Sequence, residues 1–162
     1  MLFSAHNGIL QPAPSLKGGP DLKRANNFFK TAYSYKKANR FAESIIQYRT
    51  CIGKNPRHTK ALYNLALLLI KRGDGIDEAE ALLRQAIEVD PTFVDAYFNL
   101  GNLLEEQKFD LDGAEAMYRK ALQEDSTFWP AMFNLATLIS GGHKKAYKEA
   151  DNWFVTLKAI AI

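Results

Sequence analysis

What this sequence lacks narrows its possibilities before anything it contains. Cys51 is the only cysteine in 162 residues, so no internal disulfide can form, and a reducing compartment is expected, with cytoplasm and organelle interior both left open. Histidine is scarce: His6, His58 and His143 stand far apart, with no second His, Cys or Asp at ligand spacing. Neither a zinc site nor a nucleophile–base pair is indicated, so no metal, no cofactor and no catalytic residue is expected. Gly73 and Gly75 are not followed by the Gly-Lys-Ser/Thr of a phosphate loop. No apolar run approaches the roughly 18 residues of a membrane-spanning helix, the longest lying near Leu65 to Ile70, which argues against membrane insertion. Acidic residues are nearly missing from the first third. Through His58 there are 10 Lys and Arg against 2 Asp and Glu, and from Thr59 onward 11 against 16, so a formal charge of +3 conceals a strongly polarised chain.

What is present is a repeated pattern. Residues 1–21, with Pro12, Pro14, Gly18, Gly19 and Pro20, lack helical or strand periodicity and are expected to form an extended N-terminal arm. The segment Met1 to Lys17 has no acidic residue, but its two prolines and lack of Arg argue against an organelle-targeting helix. Between Ala96 and Asp125, Tyr97, Leu100, Leu103 and Leu104 recur at helical spacing, as do Ala114, Met117, Tyr118, Ala121 and Leu122, around a polar turn at Gln107 to Asp112. Neither amphipathic helix can hide its apolar stripe alone, so the two must pack as an antiparallel hairpin. Gly101 and Ala114, small residues on the facing stripes, permit close approach.

Superposition gives the period. Asn64, Asn99 and Asn134 are 35 apart, as are Ala61, Ala96 and Ala131, while Ala79 pairs with Ala114 and Pro56 with Pro91 at the same step. Four helix pairs are expected, at about residues 25–58, 59–93, 94–128 and 129–162, in a solenoid occupying 22–162. Turns are expected at Asp74-Gly75 and Gly141-Gly142.

The residues that recur resemble the tetratricopeptide repeat family. A large residue (Phe28, Leu62, Tyr97, Met132) precedes Leu or Thr and a small residue (Thr31-Ala32, Leu65-Ala66, Leu100-Gly101, Leu135-Ala136), and the second helix carries Ser44, Ala79, Ala114 or Ala150, then Tyr48, Leu83, Tyr118 or Phe154. Departures are a 35-residue step in place of the family's 34, Thr31 in copy one, and Ser126 where Pro56 and Pro91 stand elsewhere. The resemblance implies an all-α, right-handed superhelix of four antiparallel helix pairs whose first helices line a concave face. It implies a non-catalytic protein–protein interaction module or scaffold, here a small subunit of a larger assembly, with a transient receptor for extended peptides as the alternative. Pentatricopeptide repeats share the period and read RNA, but the negative balance of copies two to four does not suit a phosphate track.

The concave face implied by the resemblance would carry Asn64, Asn99 and Asn134 with the aromatics Tyr63, Phe98 and Phe133. An Asn amide both donates and accepts, so one per repeat could hold a peptide backbone irrespective of side chains. That arrangement is similar to the asparagine ladder in the repeats of O-GlcNAc transferase. Tyr33, Lys71 and Asn102 are further groove positions. So are Lys36 and Lys37 at a basic first end and Glu105 and Glu106 in an acidic middle, which would orient a ligand of opposite polarity. The last ten residues, from Trp153 to Ile162, are apolar enough that Trp153 and Ile160 are expected to face a partner protein, a second copy of the chain, or the N-terminal arm.

Overall fold

Small residues at one register of each helix decide how the helices pair. The computed structural model describes residues 20–142 and contains seven α-helices and no strand among them. These are α1 (Pro20–Lys37), α2 (Phe41–Lys54), α3 (Thr59–Arg72), α4 (Ile76–Val89), α5 (Val94–Glu106), α6 (Leu111–Glu124) and α7 (Trp129–Gly142). Helices pair as α1 with α2, α3 with α4 and α5 with α6, and each second helix packs on the next first helix, so the hairpins stack in chain order. Ala32, Ala66 and Ala136 on the first helices and Ser44, Ala79 and Ala114 on the second are fully buried. The buried Ser44 hydroxyl donates to the Ala32 carbonyl across the first hairpin at 2.8 Å, so its polarity is satisfied where the other copies use Ala. Gly101 lies beneath the Tyr118 ring: a Cβ there would sit 2.5 Å from Tyr118 Cε1.

The loops between hairpins repeat as faithfully as the helices. The side-chain oxygens of Asn55, Asp90 and Asp125 accept from the backbone N–H two residues on, at 3.1, 3.1 and 2.9 Å. This Asx turn forms at Asp125-Ser126 as it does before Pro56 and Pro91, because the Asn or Asp side chain, rather than the proline, closes it. The next helix starts at an aromatic that packs back on the preceding first helix: His58 stacks on Phe29, Phe93 lies tilted against Tyr63 and Phe128 meets Phe98 edge-on, with ring centroids 4.8, 4.9 and 5.5 Å apart.

His58 does more than stack. Its Nδ1 accepts from Ala61 N at 3.2 Å as the N-cap of α3, and its Nε2 lies 3.2 Å from Asn26 Oδ1, the pattern of a neutral ring protonated on Nε2. Burial lowers its pKa below the ordinary 6.5; the hydrogen bond to its own backbone acts in the opposite sense, and nearby Lys60 adds to the lowering. Since the unfolded chain binds that proton more readily, the contribution of the cap is complete above pH 6.5 and fades as pH falls through the lower folded value. The urea midpoint should therefore decline from pH 7.5 to pH 5.5, and His58→Asn, a cap that does not titrate, should remove most of that decline. A wild-type midpoint that is flat over this range refutes the assignment.

Three expectations are corrected. The arm gives way to helix at Pro20 rather than after residue 21, since proline suits a helix's first turn. The third connection is shorter than Gln107 to Asp112, because Asp110 accepts from Gly113 N at 2.9 Å and caps a helix that begins at Leu111. Gly141 and Gly142 continue α7 instead of forming a turn. A ladder already propagating from Trp129 outweighs the roughly 0.5–1 kcal/mol that each helical glycine costs. The residue that does turn the third hairpin is Phe109, at φ 56° and 81% exposed, where the first hairpin has Asn39 at φ 58° and the second has glycines. A bulky side chain in the left-handed region costs about 1–2 kcal/mol, so Phe109→Asn should raise unfolding free energy by about 1 kcal/mol with an unchanged urea m-value; a decrease would mean that the ring packs usefully. Residues 1–19, Trp153 and Ile160 lie outside the described residues.

Candidate functional site

Hydrogen bonds between successive first helices define one face of the molecule. Lys36 Nζ on α1 donates to Asn64 Oδ1 on α3 at 2.7 Å. Asn99 Nδ2 on α5 donates to the Tyr63 hydroxyl on α3 at 3.1 Å, and Asn134 Nδ2 on α7 donates to Asn102 Oδ1 on α5 at 2.8 Å. The three asparagines thus stand in one row, each bonded to the preceding repeat. Their amides also turn inward: Asn64 Nδ2 donates to Lys60 O at 2.7 Å and Asn99 Nδ2 to Asp95 O at 2.8 Å. What remains open among the described residues is the Oδ1 acceptor of Asn99 and of Asn134.

The aromatics predicted beside this row divide. Tyr63 and Phe98 are half-buried, packed against the core and against a ring of the next loop, and burial pushes the Tyr63 hydroxyl up to about 12. Phe133 and Tyr33 are 50% and 44% exposed and can offer ring surface to a ligand. Lys71 Nζ lies 4.6 Å from the centre of the Phe41 ring, and Lys37 Nζ 5.7 Å from that of Tyr33.

Asn102 belongs to a cluster that sequence reasoning missed. The fully buried Tyr118 reaches from α6 to the row, its hydroxyl 2.7 Å from Glu105 Oε2 and 2.8 Å from Asn102 Oδ1, with Asn134 Nδ2 at 3.4 Å. Burial is the main cause of its strongly raised pKa, with the Glu105 hydrogen bond next. Tyr48, Leu83 and Tyr118 share one register, which on periodicity alone reads as an apolar position; the two tyrosines were the available signal.

Chemistry for catalysis is sparse here. Cys51 is fully buried and its thiol is pushed up to about 11 by that burial, so it packs as a small apolar residue. Among the described residues no group of three His, Cys, Asp or Glu could hold a metal ion, and no helix is long and apolar enough to cross a membrane.

Stacked helix hairpins with an ordered polar row along their first helices define a helical-repeat solenoid of the protein-interaction class. The chain belongs to the tetratricopeptide repeat family: models described as TPR repeat match residues 75–108, and models described as tetratricopeptide repeat match 94–128 and 29–75. Solved structures share the fold at low identity. A crystal structure of MamA is 20% identical, with TM-score 0.73 over 82% of this chain and 75% of that one. The first TPR of Spaghetti (RPAP3), bound to the HSP90 peptide SRMEEVD, is 19% identical, with TM-score 0.67 over 74% and 93%. The Arabidopsis OM64 TPR domain is also 19% identical, with TM-score 0.67 over 73% and 96%. No curated protein matches by sequence.

Proposed function

We propose that this protein binds an extended segment of a partner protein along the face formed by α1, α3, α5 and α7. The carrying observation is the amide row: Asn64, Asn99 and Asn134 are held at fixed register by bonds to the neighbouring repeat. Asn99 and Asn134 each keep an acceptor oxygen that a peptide N–H can use, while Tyr33 and Phe133 offer half-exposed rings on the same helices. The row serves two purposes in this reading: it pins adjacent repeats and presents acceptors at one spacing.

The test is fluorescence anisotropy with a labelled ten-residue peptide of Ser, Ala and Val. Two hydrogen bonds at about 0.5–1.5 kcal/mol each make Asn64→Ala/Asn99→Ala/Asn134→Ala about tenfold weaker. Circular dichroism must show the triple variant folded, since the same amides join repeats. Unchanged affinity in a folded variant sinks the ladder as a binding device.

A further inference from the structure

Two surfaces outside the amide row complement each other. The first is the turn of the third hairpin, where Phe109 is 81% exposed at φ 56° and Leu111, two residues on, is 46% exposed. A ring in the left-handed region that also faces water is doubly unfavourable, and Asn39 makes the same bend in the first hairpin without it. Glu106, Asp110 and Asp112 flank the ring along the chain, all exposed and none in a salt bridge among the described residues. Lys108, the cation of this turn, is committed to Asp77 and Glu80 on α4 at 2.6 Å each. The tip is an apolar anchor in an acidic setting.

The second surface is a recess of about 380 Å³ where the loops before α3 and α5 meet, lined by Arg57, His58, Thr59, Lys60, Asp90 and Phe93. His58 and Phe93 give it ring surface, and Arg57 and Lys60 are exposed cations with no salt bridge among the described residues. Its one acid is turned to the loop, since Asp90 Oδ1 accepts from Thr92 N at 3.1 Å and from Thr92 Oγ1 at 2.7 Å. The recess offers ring surface in a basic setting, the counterpart of the tip.

We propose that Phe109 of one copy seats in this recess of a second copy, with Glu106, Asp110 and Asp112 facing Arg57 and Lys60. Within one molecule the two cannot meet. The tip lies at the C-terminal ends of the first helices and the recess at their N-terminal ends, about 20 Å apart for helices of 13 and 14 residues. The contact therefore joins different patches on the two partners and continues head to tail into a chain or ring. Overall charge favours the same arrangement, because the residues through His58 carry a positive balance and the remainder a negative one.

One aromatic anchor with two charge pairs on a small patch makes a weak contact, with Kd of about 100 µM. Sedimentation velocity of the full chain from about 10 to about 500 µM should show a rising mean sedimentation coefficient, and salt at about 0.5 M should suppress the rise. Phe109→Asn should weaken self-association about tenfold, and so should Arg57→Gln/Lys60→Gln. Lys23→Gln/Lys54→Gln, which removes the same charge from exposed positions on α1 and α2, should leave it within about twofold. Because Phe109→Asn is expected to stabilise the fold, its loss of association cannot be laid to unfolding. The decisive sample is an equimolar mixture of the two weakened variants. Each keeps one intact half, so the mixture should form heterodimers with wild-type affinity and nothing larger. A wild type that stays monomeric over the whole range overturns the proposal, as does association that survives either variant or falls equally in the lysine control. A mixture that stays monomeric overturns it too, because it marks a two-fold contact in which both partners offer the same patch.

Discussion

Gly101→Val should lower the unfolding free energy by about 3 kcal/mol, near the upper end of what overpacking a tight core costs. A single Cβ at this position would lie 2.5 Å from Cε1 and 2.7 Å from Cδ1 of Tyr118, and valine adds two further methyl groups. The ring has little freedom to retreat. Its hydroxyl is held by Glu105 and Asn102, and Phe98 lies against it with centroids 6.0 Å apart. The first hairpin combines Ala32 with Tyr48 at the same two registers, and there the tyrosine hydroxyl finds no partner. Glycine at this register of the third hairpin leaves the space that the Tyr118 ring fills. Urea unfolding checks the magnitude. A loss below 1 kcal/mol would mean that the ring swings aside freely and that Asn102, Glu105 and Asn134 do not fix it.

Leu65→Ala should cost about 3 kcal/mol, within the 2–5 kcal/mol typical of emptying a leucine site in a core. Leu65 is 1% exposed on α3, which packs on α2 and α4 and also touches α5. In a solenoid stability is the sum of each repeat's own packing and its contacts with its neighbours, so a cavity on a helix that packs on α2, α4 and α5 weakens both. Leu67, two residues along and half-buried, is the internal control, and Leu67→Ala should cost less than half as much. The functional consequence is separate and measurable. Because α3 carries Tyr63, Asn64 and Lys71, binding of an extended peptide should weaken near the unfolding midpoint in parallel with the circular dichroism signal. Equal costs for the two leucines would contradict the assigned core.

The helices and their pairing were legible because they rest on local periodicity. Ala61, Ala96 and Ala131, aligned by spacing alone, are all fully buried, and Cys51 falls with Ala86 and Ala121 on the buried stripe. The row of Asn64, Asn99 and Asn134 was legible for the same reason: equal register on equal helices places side chains on one face. Their bonding was not. Asn99 meets Tyr63 across 36 residues, Asn134 meets Asn102 across 32 and Asn64 meets Lys36 across 28. Those separations differ because the polar partner, Tyr63, Asn102 or Lys36, stands at a different turn of the preceding first helix in each repeat. His58 illustrates the same limit: its spacing gave no role, yet it caps α3 through Nδ1 and stacks on the Phe29 ring of α1.

By itself, then, the order of residues determined the helical period, the hairpin unit, the stacking sequence and the polarity of charge from one end to the other. Each follows from which residues must leave water along a single helix, and that is written in the chain. Tertiary structure alone decided that Tyr118 is matched and Tyr48 is not, and that two of the amide row keep an open acceptor. These outcomes belong to atoms brought together from different helices. The satisfaction of a buried donor depends on the last ångström of their approach, which no spacing in the sequence encodes.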